Sequence, residues 1–247
     1  MTAPLRLQTH VWNPRGDRRA LLLHGLGSDG ACWWRLASAL ADDGWMVVAP
    51  DLRGHGRSPA ASVHTIAAFA ADVGLLGDGH DLVVGHSLGG SIAALLLASS
   101  RFARSAVLVD PVLSLPADQR APLRELLLAE TGHLDVAAVK AANPRWHDRD
   151  VQRVVLAAAM VTPDLITAVF DDNDPWDVTE HLPAWSARIH LLVADPLRGG
   201  LLDPDHADQL ADGTRVSAEV VGDCGHSIQR ERPDVVADAV RRVTAQG

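Results

Sequence analysis

The chain contains no tyrosine and only two cysteines among its 247 residues, and aromatic residues make up just 4% of it. Without tyrosine, no phenol can serve as a proton donor in any site the chain builds. Cys32 and Cys224 are far apart and neither sits in a CxxC pair, so the sequence offers no disulfide framework and no zinc ribbon. Both read as small packed residues. Dense runs of lysine and arginine are also missing, and the formal net charge is −9, which excludes the electrostatic footprint of a nucleic-acid binder. No stretch reaches the roughly 18 uncharged apolar residues of a transmembrane helix, and the opening segment lacks the apolar core of a signal peptide. The expectation is a cytoplasmic protein with neither a nucleic-acid nor a membrane partner.

What is present is a large core. With 47% apolar residues and a mean hydropathy of +0.06, the chain can bury one sizeable domain, or one domain carrying an insertion. "LRLQTHVW" and "RALLLH" read as two strands joined by the turn "NPRGD", as in a hairpin. "MVVAP", "DLVVGH", "SAVLVD", "RIHLLVA" and "SAEVVG" read as later strands, several with the continuous apolar character of a sheet buried on both faces. Helical patterns lie between most of them: "WWRLASALADDG", which ends in a helix-stopping glycine, "HTIAAFAADVGLL", "SLGGSIAALLLASS" and "RPDVVADAVRRVTAQ". The alternation predicts an α/β fold with a mostly parallel central sheet flanked by helices.

After Asp110 that alternation breaks. "PADQRAPLRELLLAE", "HDRDVQRVVLAAAM" and "PDLITAVF" read as helices with no strand between them, too much material for one crossover. The expected organisation is a core of residues 1–110 and 186–247, with 111–185 a helical lid inserted before the penultimate strand. No repeat or flexible linker appears. Ligands of α/β sheets bind beyond the C-terminal ends of the strands, which directs attention to four loops: "HGLGSDG", "DLRGHGRS", "GHSLGG" and "DCGHS".

The first loop carries a decoy. Gly25, Gly27 and Gly30 spell GxGxxG after a strand, and Asp51 ends the next strand about 20 residues on, as a dinucleotide site would require. The polar "SDG" and the bulky "CWW" start the helix late, however, and this reading leaves "GHSLGG" without a purpose. The latter is G-x-S-x-G, Gly85-His86-Ser87-Leu88-Gly89, between an apolar strand and a helix. In so tight a turn the glycines supply room that a Cβ would occupy, Ser87 projects above the sheet as a nucleophile, and the Leu88 N–H at the helix start can face a developing oxyanion.

A serine hydroxyl needs a base, and the base needs a carboxylate to fix its tautomer. The expected chain order is Ser, then Asp or Glu, then His. Of twelve histidines, His226 follows the last strand and a glycine, where a loop can return it to the serine. The carboxylate is expected after the penultimate strand, and Asp195 ends that strand directly. Asp203 in the next loop and Asp110, one strand earlier, are the competing positions.

Together, "LLLHGLGSDGACWW", "VVAPDLRGHGRS", "GHSLGG", the helical insertion and "DCGHSIQRERPD" resemble the α/β-hydrolase-fold serine hydrolases of the small, lidded carboxylesterase type, over nearly the whole chain. The resemblance implies a second oxyanion N–H at the residue after the first His-Gly, Leu26, beside that of Leu88. It departs at the acid loop, where many members carry Gly-x-x-Asp and this chain has "VADPLRGGLLDP". It also implies acyl transfer through an acyl-serine without any cofactor, and no HExxH or His/Asp cluster recommends a metal. Serine in the nucleophile position argues against haloalkane dehalogenases and epoxide hydrolases, as does the missing tyrosine for the latter. A carboxylic ester of a small, largely apolar molecule is the leading substrate class. Lactones, thioesters and carbon–carbon bonds are alternatives for the same apparatus, and a ligand-binding sensor of the same fold is the non-enzymatic one.

Trp33, Trp146, Phe170 and Trp176 are the expected substrate-binding residues, with Leu126 and Met160 also placed on the pocket side of the lid. His24, His55, Asp51 and Arg53 read as braces of their loops, and His86 as a neighbour of the nucleophile rather than a base.

Overall fold

In the computed structural model, residues 3–245 are described. Among the described residues nine strands are formed: β1 (Thr9–Trp12), β2 (Arg18–Leu23), β3 (Trp45–Pro50), β4 (His80–His86), β5 (Ala103–Val109), β6 (Ser114–Leu115), β7 (Trp176–Asp177), β8 (Arg188–Ala194) and β9 (Val216–Val221). Seven of them make one sheet in the order β1-β3-β2-β4-β5-β8-β9. All its neighbours pair in parallel except β1, which runs antiparallel to β3.

That last pairing corrects the expected hairpin. β1 and β2 are not partners; both flank β3, with Thr9 opposite Pro50 and Arg18 opposite Trp45. The connecting turn crosses the start of β3 so closely that a Cβ on Gly16 would lie 2.2 Å from the Met46 nitrogen. The turn residues announce a reversal but not which strand lies between its arms.

The central strands bury both faces, and their alternation divides the core in two. Leu21, Leu23 and Val83 face one cluster with Phe69 from α2 (Ile66–Gly74), Ile92 from α3 (Leu88–Leu96) and Leu97 just beyond it. Ala20, Leu22, Leu82 and Val84 face the other, against α1 (Trp34–Asp42) and α10 (Pro233–Thr244). Truncating any of these leucines to alanine would remove several methylene groups' worth of transfer energy and leave a cavity, about 2–5 kcal/mol.

Between β5 and β8 the chain folds into α4 (Ala117–Ala129), α5 (Val136–Ala142), α6 (Asp148–Ala158) and α7 (Pro163–Asp172), framed by the short antiparallel β6–β7 pair. Asp135 and Thr162 accept hydrogen bonds from the Ala138 and Leu165 N–H groups, capping α5 and α7. α5 has no buried residue, so no apolar stripe announces it. α8 (Pro204–Leu210) and the single turn α9 (Ile228–Glu231) complete the fold after β8 and β9.

Candidate active site

The site begins with a strained serine. Between β4 and α3, Ser87 has φ 53° and ψ −118°, a conformation that costs a non-glycine residue about 1–3 kcal/mol and persists only where its surroundings enforce it. They do so here by close approach. A Cβ on Gly89 would lie 2.3 Å from the Leu23 carbonyl oxygen, and one on Gly85 would lie 2.5 Å from that of Gly89. The Ser87 carbonyl is held by the N–H groups of Gly90 and Ser91, at 2.8 and 3.1 Å. Leu88 is the first residue of α3, so its N–H has no partner within the helix.

His226 lies in the loop between β9 and α9, and its Nδ1 donates to Asp110 Oδ2 at 2.6 Å. Asp110 is fully buried immediately beyond β5, with φ 40°. Its carboxylate also accepts from three backbone N–H groups: Ala194 at 3.1 Å, Leu201 at 2.9 Å and Leu202 at 3.3 Å. Every lone pair thus faces a donor, and the carboxylate is fixed in orientation.

The expectation that Asp195 reaches His226 is not met. Its Oδ1 accepts from the Leu197 N–H at 2.9 Å and its Oδ2 from the Asp223 N–H at 3.0 Å, so the side chain caps the turn after β8 and pins the loop after β9. Asp203 caps α8 through the Asp205 N–H. The cause is topological. β5 lies between β4 and β8 in the sheet, so a side chain at its C-terminal end stands directly beside the strand that carries Ser87.

His86 is a neighbour of a different kind. Its Nε2 donates to the His226 carbonyl at 3.0 Å, and the two rings lie 4.6 Å apart. Burial, and then the proximity of His226 and Arg230, push the His86 imidazole well below the ordinary histidine range. It is a neutral strut under the His226 loop.

The "HGLGSDG" loop packs against the serine: a Cβ on Gly25 would lie 2.8 Å from His86 Nδ1 and 3.1 Å from the Ser87 Cβ. Buried imidazoles brace it. His24 Nδ1 donates to the Gly25 carbonyl while its Nε2 accepts from the Leu52 N–H at 3.0 Å. His55 Nδ1 donates to the Arg53 carbonyl and its Nε2 accepts from the Gly27 N–H at 3.2 Å. Each ring must stay neutral to accept, and burial pushes His55 down to about 3. Asp51 accepts from the Gly30 and Arg57 N–H groups and from His10, whose combined hydrogen bonds outweigh burial and hold it down at about 2. Arg53 pairs bidentately with buried Asp72, at 2.7 Å for each bond.

Ser87, His226, Leu26 and Leu88 open onto one cavity of about 580 Å³ between the sheet and the helical insertion. Trp146, Phe170 and Trp176 line it, as does Leu126, whereas Met160 is exposed and does not. Trp33 is a correction. It is buried on the opposite face of the sheet with Leu36, Leu40 and Val236, because the 3-10 turn Gly30–Trp33 rotates it away from the cavity before α1 starts. Trp34 instead donates from Nε1 to Asp150 of α6 at 2.7 Å. Asp150 also pairs with Arg35, and Arg153 with Asp29, while Arg145 reaches Asp223 and Glu231 at 2.9 and 2.5 Å. These ion pairs tie the insertion to the sheet's loops. Their members belong to no motif from which these pairs could be read. Among the described residues, no group of three or more His, Cys, Asp or Glu side chains is arranged to hold a metal ion.

A strained serine in a strand–turn–helix, a histidine from the last loop and a carboxylate behind it define a hydrolase class. Residues 20–239 match the model of the alpha/beta hydrolase family, and the chain belongs to that family. It is 33% identical to the lipase LipV of Mycobacterium tuberculosis, over 95% of this chain and 96% of that protein. It is 27% identical to the esterase YbfF of Escherichia coli, over 98% of both. Among solved structures, E-2-(acetamidomethylene)succinate hydrolase superposes with a TM-score of 0.80 at 17% identity, covering 97% of this chain and all of the other, 100%. That last likeness shows the fold alone.

Proposed function

We propose that this hydrolase cleaves carboxylic esters of small, largely apolar molecules through Ser87, His226 and Asp110. The observation that carries the reading is the 2.6 Å bond from His226 Nδ1 to a fully buried Asp110, beside a serine held at positive φ. The proton on Nδ1 leaves Nε2 as the base for Ser87, and Asp110 stabilises the imidazolium as Ser87 attacks the carbonyl. The N–H groups of Leu26 and Leu88 receive the oxyanion. The alkoxide leaves with the proton from His226, and water activated by the same imidazole releases the acid. No cofactor enters this scheme.

Residues 111–185 act as a cap, with Trp146, Phe170 and Trp176 supplying apolar contact to the substrate. The lipase and esterase names of the full-length relatives favour an oxygen ester over thioester, lactone or carbon–carbon cleavage. The test is turnover of p-nitrophenyl esters of increasing acyl length by the wild type and by Ser87→Ala. The expected result is measurable hydrolysis that falls by on the order of 10⁶-fold in the variant. A wild type that turns over no ester would overturn the reading in favour of a ligand-binding role.

A further inference from the structure

Among the charged residues around the cavity, one cation is left without a carboxylate. Arg198 pairs with Asp223, and Glu231 with Arg145. Arg230 also lines the cavity, yet among the described residues no carboxylate oxygen lies within ion-pair distance of it. Its guanidinium has five N–H donors. Two are used, on hydroxyls and at long range: Nη1 to Ser227 Oγ at 3.2 Å and Nη2 to Ser28 Oγ at 3.4 Å. Its carbon centre stands 4.9 Å from the centroid of the Trp146 ring, a cation–π contact that satisfies none of its donors.

A second donor in the same wall is also unused. Trp146 Nε1 is buried and has no hydrogen-bond partner among the described residues. Ser28, which Arg230 touches, stands two residues after Leu26 in the same loop, and Arg230, Leu26 and Ser87 line the same cavity. Glu130 is the acid facing this region, and it lines the cavity without a carboxylate oxygen within ion-pair distance of the guanidinium. Arg230 is partly buried, so its unused donors are open to the cavity and free to take an acidic group that enters it.

We propose that Arg230, with Trp146 Nε1, anchors a carboxylate on the substrate, so that the preferred substrates are apolar esters bearing a second, free acid group, such as monoesters of dicarboxylic acids. The inference rests on the ester-hydrolase reading and deepens it. A planar guanidinium matches a carboxylate with two parallel bonds, whereas a neutral chain end in the same place offers it no acceptor and displaces its water.

The experiment compares the p-nitrophenyl monoester of adipic acid with p-nitrophenyl hexanoate, in wild type, Arg230→Met and Arg230→Lys. The wild type is expected to favour the acid-bearing ester by roughly 10- to 100-fold in kcat/KM, carried mainly by KM, as a charged hydrogen-bonded contact gives. Arg230→Met should abolish that preference, and Arg230→Lys should restore part of it. Binding of the monoester to Ser87→Ala, measured by calorimetry, reads the anchor without turnover and should weaken by the same factor when Arg230→Met is added. Equal kcat/KM for the two esters in the wild type, or a preference that survives Arg230→Met, would overturn the anchor. Should the wild type turn over neither ester while the monoester still binds in an Arg230-dependent way, the hydrolase reading fails and the anchor stands.

Discussion

Replacing Asp110 by asparagine changes one atom and reverses its hydrogen-bonding sense. The carboxylate accepts from three backbone N–H groups and from His226 Nδ1. An amide has one accepting oxygen, so its NH₂ must face either the His226 and Leu201 donors or those of Ala194 and Leu202. Either orientation sets donors against donors, at about 1–3 kcal/mol for each group left unsatisfied. If the oxygen keeps the backbone pair, the imidazole is driven to the wrong tautomer and loses about 10⁴-fold in turnover, or about 5.4 kcal/mol of transition-state stabilisation. Asp195→Asn should behave in the opposite way. The cap on Leu197 can survive through the amide oxygen, and the exposed Asp223 N–H that loses its acceptor can turn to water, so the loss is about 1 kcal/mol of stability with turnover within a few-fold of wild type. The assay is kcat for a p-nitrophenyl ester alongside thermal unfolding of both variants, so that activity is read only on folded protein. A large loss of turnover in Asp195→Asn with Asp110→Asn near wild type would refute the assignment.

Two other predictions concern the scaffold. Gly89→Ala would drive a Cβ to within 2.3 Å of the Leu23 carbonyl, where backbone cannot yield cheaply, so the variant should lose at least about 2–3 kcal/mol in urea unfolding; an unchanged midpoint would contradict the close approach. Acid should destabilise the fold well above the carboxylate range. His55 and His80 are pushed by burial from 6.5 down to about 3 and about 4, so between pH 6.5 and about 4 the unfolded chain takes up protons that the folded chain refuses. That stability is complete above pH 6.5 and is lost as the pH falls, and His55→Gln should flatten the decline in melting temperature between pH 6.5 and 4, while parallel curves would rule out His55 as a source.

Much of the fold could be read from local pattern. Long apolar runs such as "DLVVGH" and "SAVLVD" announced buried parallel strands, and G-x-S-x-G in its strand–turn–helix setting led to Ser87. What escaped was set by non-local pairing. Asp110 and Asp195 each follow directly on a buried strand, and only the sheet order, with β5 beside β4, separates them. The missing Gly-x-x-Asp in "VADPLRGGLLDP" was the available signal against Asp195. The same holds for β1, whose partner is β3 rather than its sequence neighbour, and for Trp33, turned into the opposite core by a single 3-10 turn. Arg230 carried no pattern at all, because an unpaired cation is defined by what surrounds it in space.

The central claim is that Ser87 is the atom acylated, with His226 and Asp110 behind it. It is tested most directly by treating the protein with a small fluorophosphonate and locating the adduct by peptide mass spectrometry. Stoichiometric modification of Ser87 is expected, with none in Ser87→Ala and labelling slowed by orders of magnitude in His226→Ala and Asp110→Asn. An adduct on Ser28, Ser91 or Ser227 instead, or ester turnover that persists in Ser87→Ala, would contradict it.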